Sequence, residues 1–332
     1  MKKTTKFAAL ILAGVMAAAA LTGCGGSASS GSSAGGSDAA GGAKIGFVNE
    51  ANTDVFDNTR MTALQSLADE TGGYNIEYAD ANLDIQKQID QANTFLSKNV
   101  DILMLVPCDS DGIVPAIQNA NNKGTPTICF GIKANSGDFI FVGSDSYDAG
   151  HMQGELMAEQ LPENAKVCYL AGTAGLEHST LRRQGFQEAL KEKGRDDVEI
   201  IEDQDAQYTK AKAMEKVDAW VQSYADGQGG VTFDAIVAAN DQMALGAVES
   251  LKGANILKGN NEILISGIDG TPDGVQAVAD DYMVQTVLQD AAGQAKAGLE
   301  AVDKLMAGEE IPGNEIIVPF QNITQENVAD FQ

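Results

Sequence analysis

From residue 44 to the end of the chain, short apolar runs alternate with longer stretches whose apolar positions recur every three or four residues. The runs read AKIGFV, NIEYA, VDILMLV, PTICF, DFIFVG, AKVCYL, VEIIE, FDAIVAA, EILISGI, YMVQTVL and EIIVPF. Their length and content predict strands. Between them, 84–98 carries Ile85, Ile89, Ala92 and Phe95 or Leu96 at helical spacing, with Asp84 placed to cap the first turn. Over 58–71, Met61, Leu64 and Ala68 recur in the same way, and Gly72-Gly73 stops the run. Strands that are apolar throughout are buried on both faces. The alternation therefore predicts an α/β fold, parallel sheet with helices on both sides. The length of 44–332 predicts two such doubly wound lobes.

In open α/β sheets, ligands bind beyond the carboxyl ends of the strands. The loops there are NEANTDVF (49–56), PCDSD (107–111), GIKAN (131–135), GTAGLEHSTLRR (172–183), NDQ (240–242), DGTPDG (269–274) and QDAAGQ (289–294). They are rich in Asn, Asp and Gln and poor in catalytic residue types. The loop after the first strand has no glycine, so a dinucleotide fingerprint is absent there. No P-loop occurs in the chain, and no G-x-S-x-G elbow occurs over 44–332. The two histidines, His151 and His178, form no triad by sequence, although Ser179 adjoins His178. Residues 80–84, DANLD, open like a calcium loop, but Ile85 stands where Gly is required and Gln91 where Glu is required. Cys108, Cys129 and Cys168 follow no metal or disulfide spacing and read as small buried hydrophobes. No cofactor, no metal and no enzymatic activity are expected. With 47 acidic residues, two carboxylates in one cleft say little for glycoside hydrolysis.

The first residues, MKKTTKFAALILAGVMAAAALTGC, join a cationic start to an apolar run from Phe7 to Leu21, which predicts an export signal over 1–23. LTGC resembles a bacterial lipobox, which implies lipidation of Cys24 and a membrane anchor on the extracytoplasmic face. Residues 24–43 are otherwise Gly, Ser and Ala with a single Asp, and read as a flexible tether. The net charge is −25, which disfavours nucleic acid and anionic lipid as partners.

ANDQMALGAVESLK and ISGIDGTPDG resemble the sugar-binding proteins of bacterial ABC importers, in the ribose and galactose/glucose branch. AKAMEKVDAW and TVLQDAAGQAKAGLEAVDKLMAGE are most similar to the galactose/glucose-binding protein. The resemblance covers Lys44 to Phe331 and implies two lobes of the type I periplasmic-binding-protein kind, joined by a three-strand hinge. By this likeness one lobe is 44–146 with 290–312, the other is 147–289 with 313–332, and the hinge strands fall near 143–147, 268–272 and 287–291. The implied activity is capture of a monosaccharide by hinge closure and delivery to the transmembrane subunits of an ABC permease, by a monomer. An aldohexose such as galactose or glucose is favoured, with a pentose or inositol as alternatives. A sugar sensor for a membrane receptor is a further reading, and a carbohydrate-active hydrolase the remote one.

Residue by residue, the resemblance places Asp54 on a hydroxyl-binding Asp and Phe56 on an aromatic that stacks on the sugar. By local sequence, Asp54 equally suits a helix cap and Phe56 the core. Arg182 matches a ring-contacting Arg, Tyr208 the second stacking aromatic, Asn240 a sugar-binding Asn and Asp269 a bidentate Asp. Gln289 matches a hinge amide. Asp269 also suits turn chemistry, and Tyr208 a surface loop. Asp241 is expected to cap the helix that begins with Met243 and Leu245. Two features depart from the family pattern. Gly131-Ile132-Lys133 lacks the acidic or amide residue of the related proteins. His178 stands in place of an Asp, with Leu176 in place of a His, and is open to a ligand role or a place on the rim.

Overall fold

The computed structural model describes residues 42–257 and 262–332. The expected signal, Cys24 and nearly all of the tether lie outside the described residues. In the first lobe the chain runs β1 (Ala43–Asn49), α1 (Val55–Thr71), β2 (Tyr74–Asp80), α2 (Ile85–Ser97), β3 (Ile102–Leu105), α3 (Val114–Lys123), β4 (Thr127–Phe130) and β5 (Ile140–Gly143). In the second it runs α4 (Ser146–Gln160), β6 (Lys166–Ala171), α5 (Glu177–Glu192), β7 (Glu199–Asp205), α6 (Lys210–Ser223), β8 (Ala235–Ala238), α7 (Asp241–Gly253), β9 (Leu264–Asp269), α8 (Pro272–Ala279) and β10 (Gln285–Leu288). It returns to the first lobe for α9 (Ala291–Met306) and β11 (Glu315–Ile317), and ends in the second with β12 (Gln321–Thr324).

Among the described residues there are two six-stranded sheets, ordered β11-β5-β4-β3-β1-β2 and β12-β10-β9-β8-β6-β7. The pairings are parallel except β10 with β12. β3, β4 and β8 are buried at every position, the sign of sheet covered on both faces. In the first lobe Ile45, Phe47, Met104 and Phe130 pack under α1 and α9, where Leu64, Leu299 and Val302 meet them. Val48, Leu105 and Cys129 on the opposite face pack under α2 and α3, against Phe95 and Ile117. Each such large apolar side chain contributes roughly 1.5–3 kcal/mol by leaving water. The expected caps form locally. Asp84 accepts from the amides of Gln86 and Lys87 at the start of α2, and Gly72, with φ 71°, ends α1.

The chain passes between lobes after β5, after β10 and between β11 and β12, at 144–145, 289–290 and 318–320. The expected hinge near 268–272 is therefore corrected. Residues 268–272 join β9 to α8 inside the second lobe, where Val275 and Val278 enter its core. EIIVPF reads as one strand, yet only Glu315–Ile317 pairs with β5, so 313–317 belongs with the first sheet rather than the second. Pro319 lies just beyond it and has no N–H to extend the ladder.

Candidate functional site: a polar cleft between the lobes

All eight candidate residues line one cleft between the lobes, together with Glu50, Asp57, Arg60, Gly131, Ile132 and Ser146. The space within it and its mouth, open solvent included, is about 420 Å³. It lies beyond the carboxyl ends of the strands, as the topology requires. The Glu177 amide donates to Ser110 Oγ at 3.4 Å, tying the second lobe to the first.

The N-terminus of α1 supplies the first lobe's share. Asp54, extended at φ −75°, ψ 130°, caps α1 by accepting from the Asp57 amide at 2.8 Å, and it also faces the cleft. Phe56 is nearly buried and lines the same cleft, so its two readings are one position. Arg60, one turn on, is ion-paired with Asp57 and reaches Gln294 Oε1 at 3.4 Å. Its guanidinium lies 4.9 Å from the ring centre of Phe130 and 5.5 Å from that of Phe56. Glu50, Asp57 and Arg60 were not among the expected site residues. The sequence signal for Arg60 is Phe56, Arg60, Leu64 and Ala68 at four-residue spacing, a core stripe with an arginine in it on a helix that starts at Val55 rather than 58.

Arg60 also explains the unusual loop at 131. A Cβ on Gly131 would lie 1.5 Å from Arg60 Nη1, and Gly131 holds φ +85°. The side chain absent at 131 is thus replaced in space by a guanidinium from α1. Gly131→Ala should cost about 1–3 kcal/mol through backbone strain and displacement of the clamped Arg60. A urea midpoint equal to that of the parent protein would refute this.

In the second lobe, Arg182 is buried. It donates from Nη1 to the Ala239 carbonyl at 2.6 Å and from Nη2 to Gln289 Oε1 at 3.0 Å, while its Nε has no protein partner. Arg182 thus joins α5 to the second crossover through Gln289. His178 is buried rather than on the rim, and stacks on Tyr208 with ring centres 5.0 Å apart and planes 22° apart. The aromatic platform on this side is a His–Tyr pair. Burial, then the nearby charges of Arg182 and Arg60, push His178 well below its usual range, so the ring is neutral. Its Nδ1 has no protein partner.

The Asn240–Asp241 pair corrects one expectation. Asn240, not Asp241, caps α7, with Oδ1 accepting from the Met243 amide at 2.9 Å, while its Nδ2 donates to the Tyr208 carbonyl at 3.3 Å. Asn240 has the extended backbone a cap needs, φ −156°, ψ 170°, whereas Asp241 is already inside the helix. Asp241 is fully buried. It accepts from the Thr271 amide at 2.8 Å, Thr271 Oγ1 at 2.9 Å and Thr286 Oγ1 at 2.6 Å, so it pins the ends of β9 and β10. Just before that pin, Asp269 is held at φ 127°, rare for any residue but Gly. The Gln289 amide donates to its carbonyl at 3.0 Å and fixes this backbone. Strain of this kind collects at functional sites.

Three carboxyls that line the cleft, Glu50, Asp54 and Asp269, and the buried Asp241 behind it are displaced upward. Burial, then Asp57, pushes Asp54 up to about 6, and burial likewise pushes Asp241 to about 6. Burial also raises Glu50 and Asp269 well above the usual carboxylate range. A folded-state value raised above the unfolded one contributes stability that is present below about pH 4 and is lost as pH rises through about 6. His178 acts in the opposite sense, one group against four. The ligand-free melting temperature should therefore fall from pH 5 to pH 7, and a scan that rises over that window would contradict these shifts.

The sequence profile of the periplasmic binding protein domain matches residues 45–310. The xylitol-binding protein of Mycolicibacterium smegmatis is 30% identical over 257 residues, 76% of this chain and 70% of that protein. The ribose import binding protein of Escherichia coli K12 is 30% identical over 240 residues, 72% and 77% of the two chains. A solved ABC transporter solute binding protein of Bacillus halodurans, with bound myo-inositol, superimposes with a TM-score of 0.78 at 27% identity. That match covers 88% of this chain and 97% of the other, so the likeness extends to both lobes.

Proposed function

We propose, because the chain belongs to the periplasmic binding protein family, that it is an extracytoplasmic receptor that captures one polyhydroxylated ring and delivers it to an ABC permease. Proteins of this family and fold are substrate-binding proteins, not enzymes. The observation that carries the reading is the convergence of charged, amide and aromatic side chains from both lobes on one cleft. A carboxylate or guanidinium can meet two adjacent hydroxyls, and the apolar face of a sugar lies well against an aromatic ring. Asp54, Asn240, Asp269, Arg182 and Gln289 take the hydroxyls, and Phe56 and the His178–Tyr208 pair flank the ring. Lobe closure buries these groups, so a ligand lacking one hydroxyl leaves a partner unpaired. Closed and open forms make a two-state element that the ligand biases and the permease reads.

An aldohexose is the favoured size, with a pentose or an inositol as alternatives. Relatives that bind xylitol, ribose and myo-inositol support a polyol of this class. A thermal-shift panel of pentoses, hexoses and inositols tests the reading, since a ligand bound only by the native state raises its melting temperature. At a hundred times the dissociation constant the gain is about 2.7 kcal/mol. If no polyol shifts the transition, the reading fails. We further propose that Cys24 carries the lipid that holds the receptor at the membrane. Cys24→Ser should move the protein from the membrane to the soluble fraction, and retention at the membrane would disprove the anchor.

A further inference from the structure

The cleft holds more carboxyl groups than cations to balance them. Glu50, Asp54, Asp57 and Asp269 line it together with Arg60 and Arg182. Arg60 is paired with Asp57, and Arg182 is the favourable charge acting on Asp269. Glu50 and Asp54 are left without a guanidinium of their own. Glu50 is 8% exposed and Asp57 5%. Glu50 Oε2 and Asp57 Oδ2 are buried without a donor, and the two carboxyls lie within hydrogen-bond reach of each other. Burial, then the neighbouring Asp57, holds Glu50 well above the usual carboxylate range, so in the ligand-free cleft Glu50 keeps its proton. A sugar hydroxyl placed there supplies a hydrogen bond but no charge. A primary ammonium supplies up to three donors and the missing positive charge together.

We propose that the cleft is built for a polyol ring that carries a primary amine, an amino sugar or an aminocyclitol, with its ammonium between Glu50 and Asp57. This rests on the receptor reading above and narrows its ligand class. The groups that face Glu50 are Asp54 at the cap of α1, Asp57 and Arg60 on α1, Cys108 beyond β3, and Tyr208 from the second lobe. Arg60 is the cation among them, and it is committed to Asp57, Gln294 and the rings of Phe56 and Phe130. The room that Gly131 leaves keeps its guanidinium there. The ammonium takes the place of the Glu50 proton, so binding releases that proton to solvent. Affinity for an amine then rises as Glu50 ionises, until the amine loses its own proton. Affinity for a neutral polyol lacks this dependence.

The test is titration calorimetry of the full chain with 2-amino-2-deoxyglucose and an amino-deoxyinositol, each beside its neutral parent. An amine should bind at least about tenfold more tightly than its parent, about 1.4 kcal/mol. Its affinity should rise between about pH 5 and about pH 7, with a proton release that follows the ionisation heat of the buffer. Glu50→Gln should shrink the amine-to-parent ratio to within about threefold, the fold being checked by thermal melting. Should that variant not fold, the proton release of the parent protein still decides the matter. If neutral parents bind as tightly as the amines and no proton is released, the inference is overturned and the receptor reading stands. If nothing in either series binds, the inference falls, and the receptor reading falls with it only if the pentose, hexose and inositol panel also fails to shift the melting temperature.

Discussion

Asp269→Asn should lower affinity for the captured polyol by about a hundredfold, near 2.7 kcal/mol, while the ligand-free melting temperature stays level or rises. Asp269 stands at the end of β9, buried, with its carboxyl in the cleft. Arg182 is a favourable charge for it, while Asp241, Asp54 and Asp57 oppose it. A carboxylate so placed costs the empty protein stability, and a ligand repays that cost by donating hydrogen bonds to it. The amide keeps the shape and removes the charge, so binding suffers and folding does not. Asn also tolerates positive φ better than Ala, which matters at φ 127°. Calorimetry and a urea melt on the same sample separate the two effects. An unfolded variant, or one that folds and binds normally, would show that Asp269 is a structural residue and not a ligand contact.

Asp241→Ala should do the reverse. The variant loses three acceptor contacts and strands the Thr271 amide and the Thr286 hydroxyl in a buried place. The expected loss is about 3 kcal/mol, or roughly 6–10 °C in Tm. The ionised carboxyl already bears a burial cost, which keeps the figure from being larger. Affinity should drop less than about tenfold, through loosening of β9 next to Asp269. Asp241→Asn retains one acceptor oxygen and should lose about half as much stability. An unchanged melting temperature for Asp241→Ala would refute the pinning role.

These two neighbours in space show which readings the chain allows before it folds. Asp269 follows an apolar strand, and a residue in that position faces a cleft in any open α/β sheet. Its placement was therefore legible. Asn240 and Asp241 were legible as a strand-to-helix junction, but their division was not. Either residue type caps a helix, and the choice depends on which one takes the extended backbone. Arg60 was hidden for a related reason. An arginine in a helical stripe reads as a solvated charge until Asp57 and the two phenylalanine rings are brought against it. His178 stood open between ligand role and rim because its burial depends on Tyr208, distant in sequence and stacked against it only in the folded lobe.

The sequence by itself determined the α/β class, the two lobes and the row of loops that meet at the cleft. Those properties follow from periodicity and from the ends of apolar runs, which are local. The tertiary structure alone decided the third crossover at 318–320, the exchange of Gly131's missing side chain for Arg60, and the surplus of buried carboxyls around Glu50. Those properties rest on which distant groups share a space, because burial and charge pairing are set by neighbours in the fold rather than neighbours in the chain.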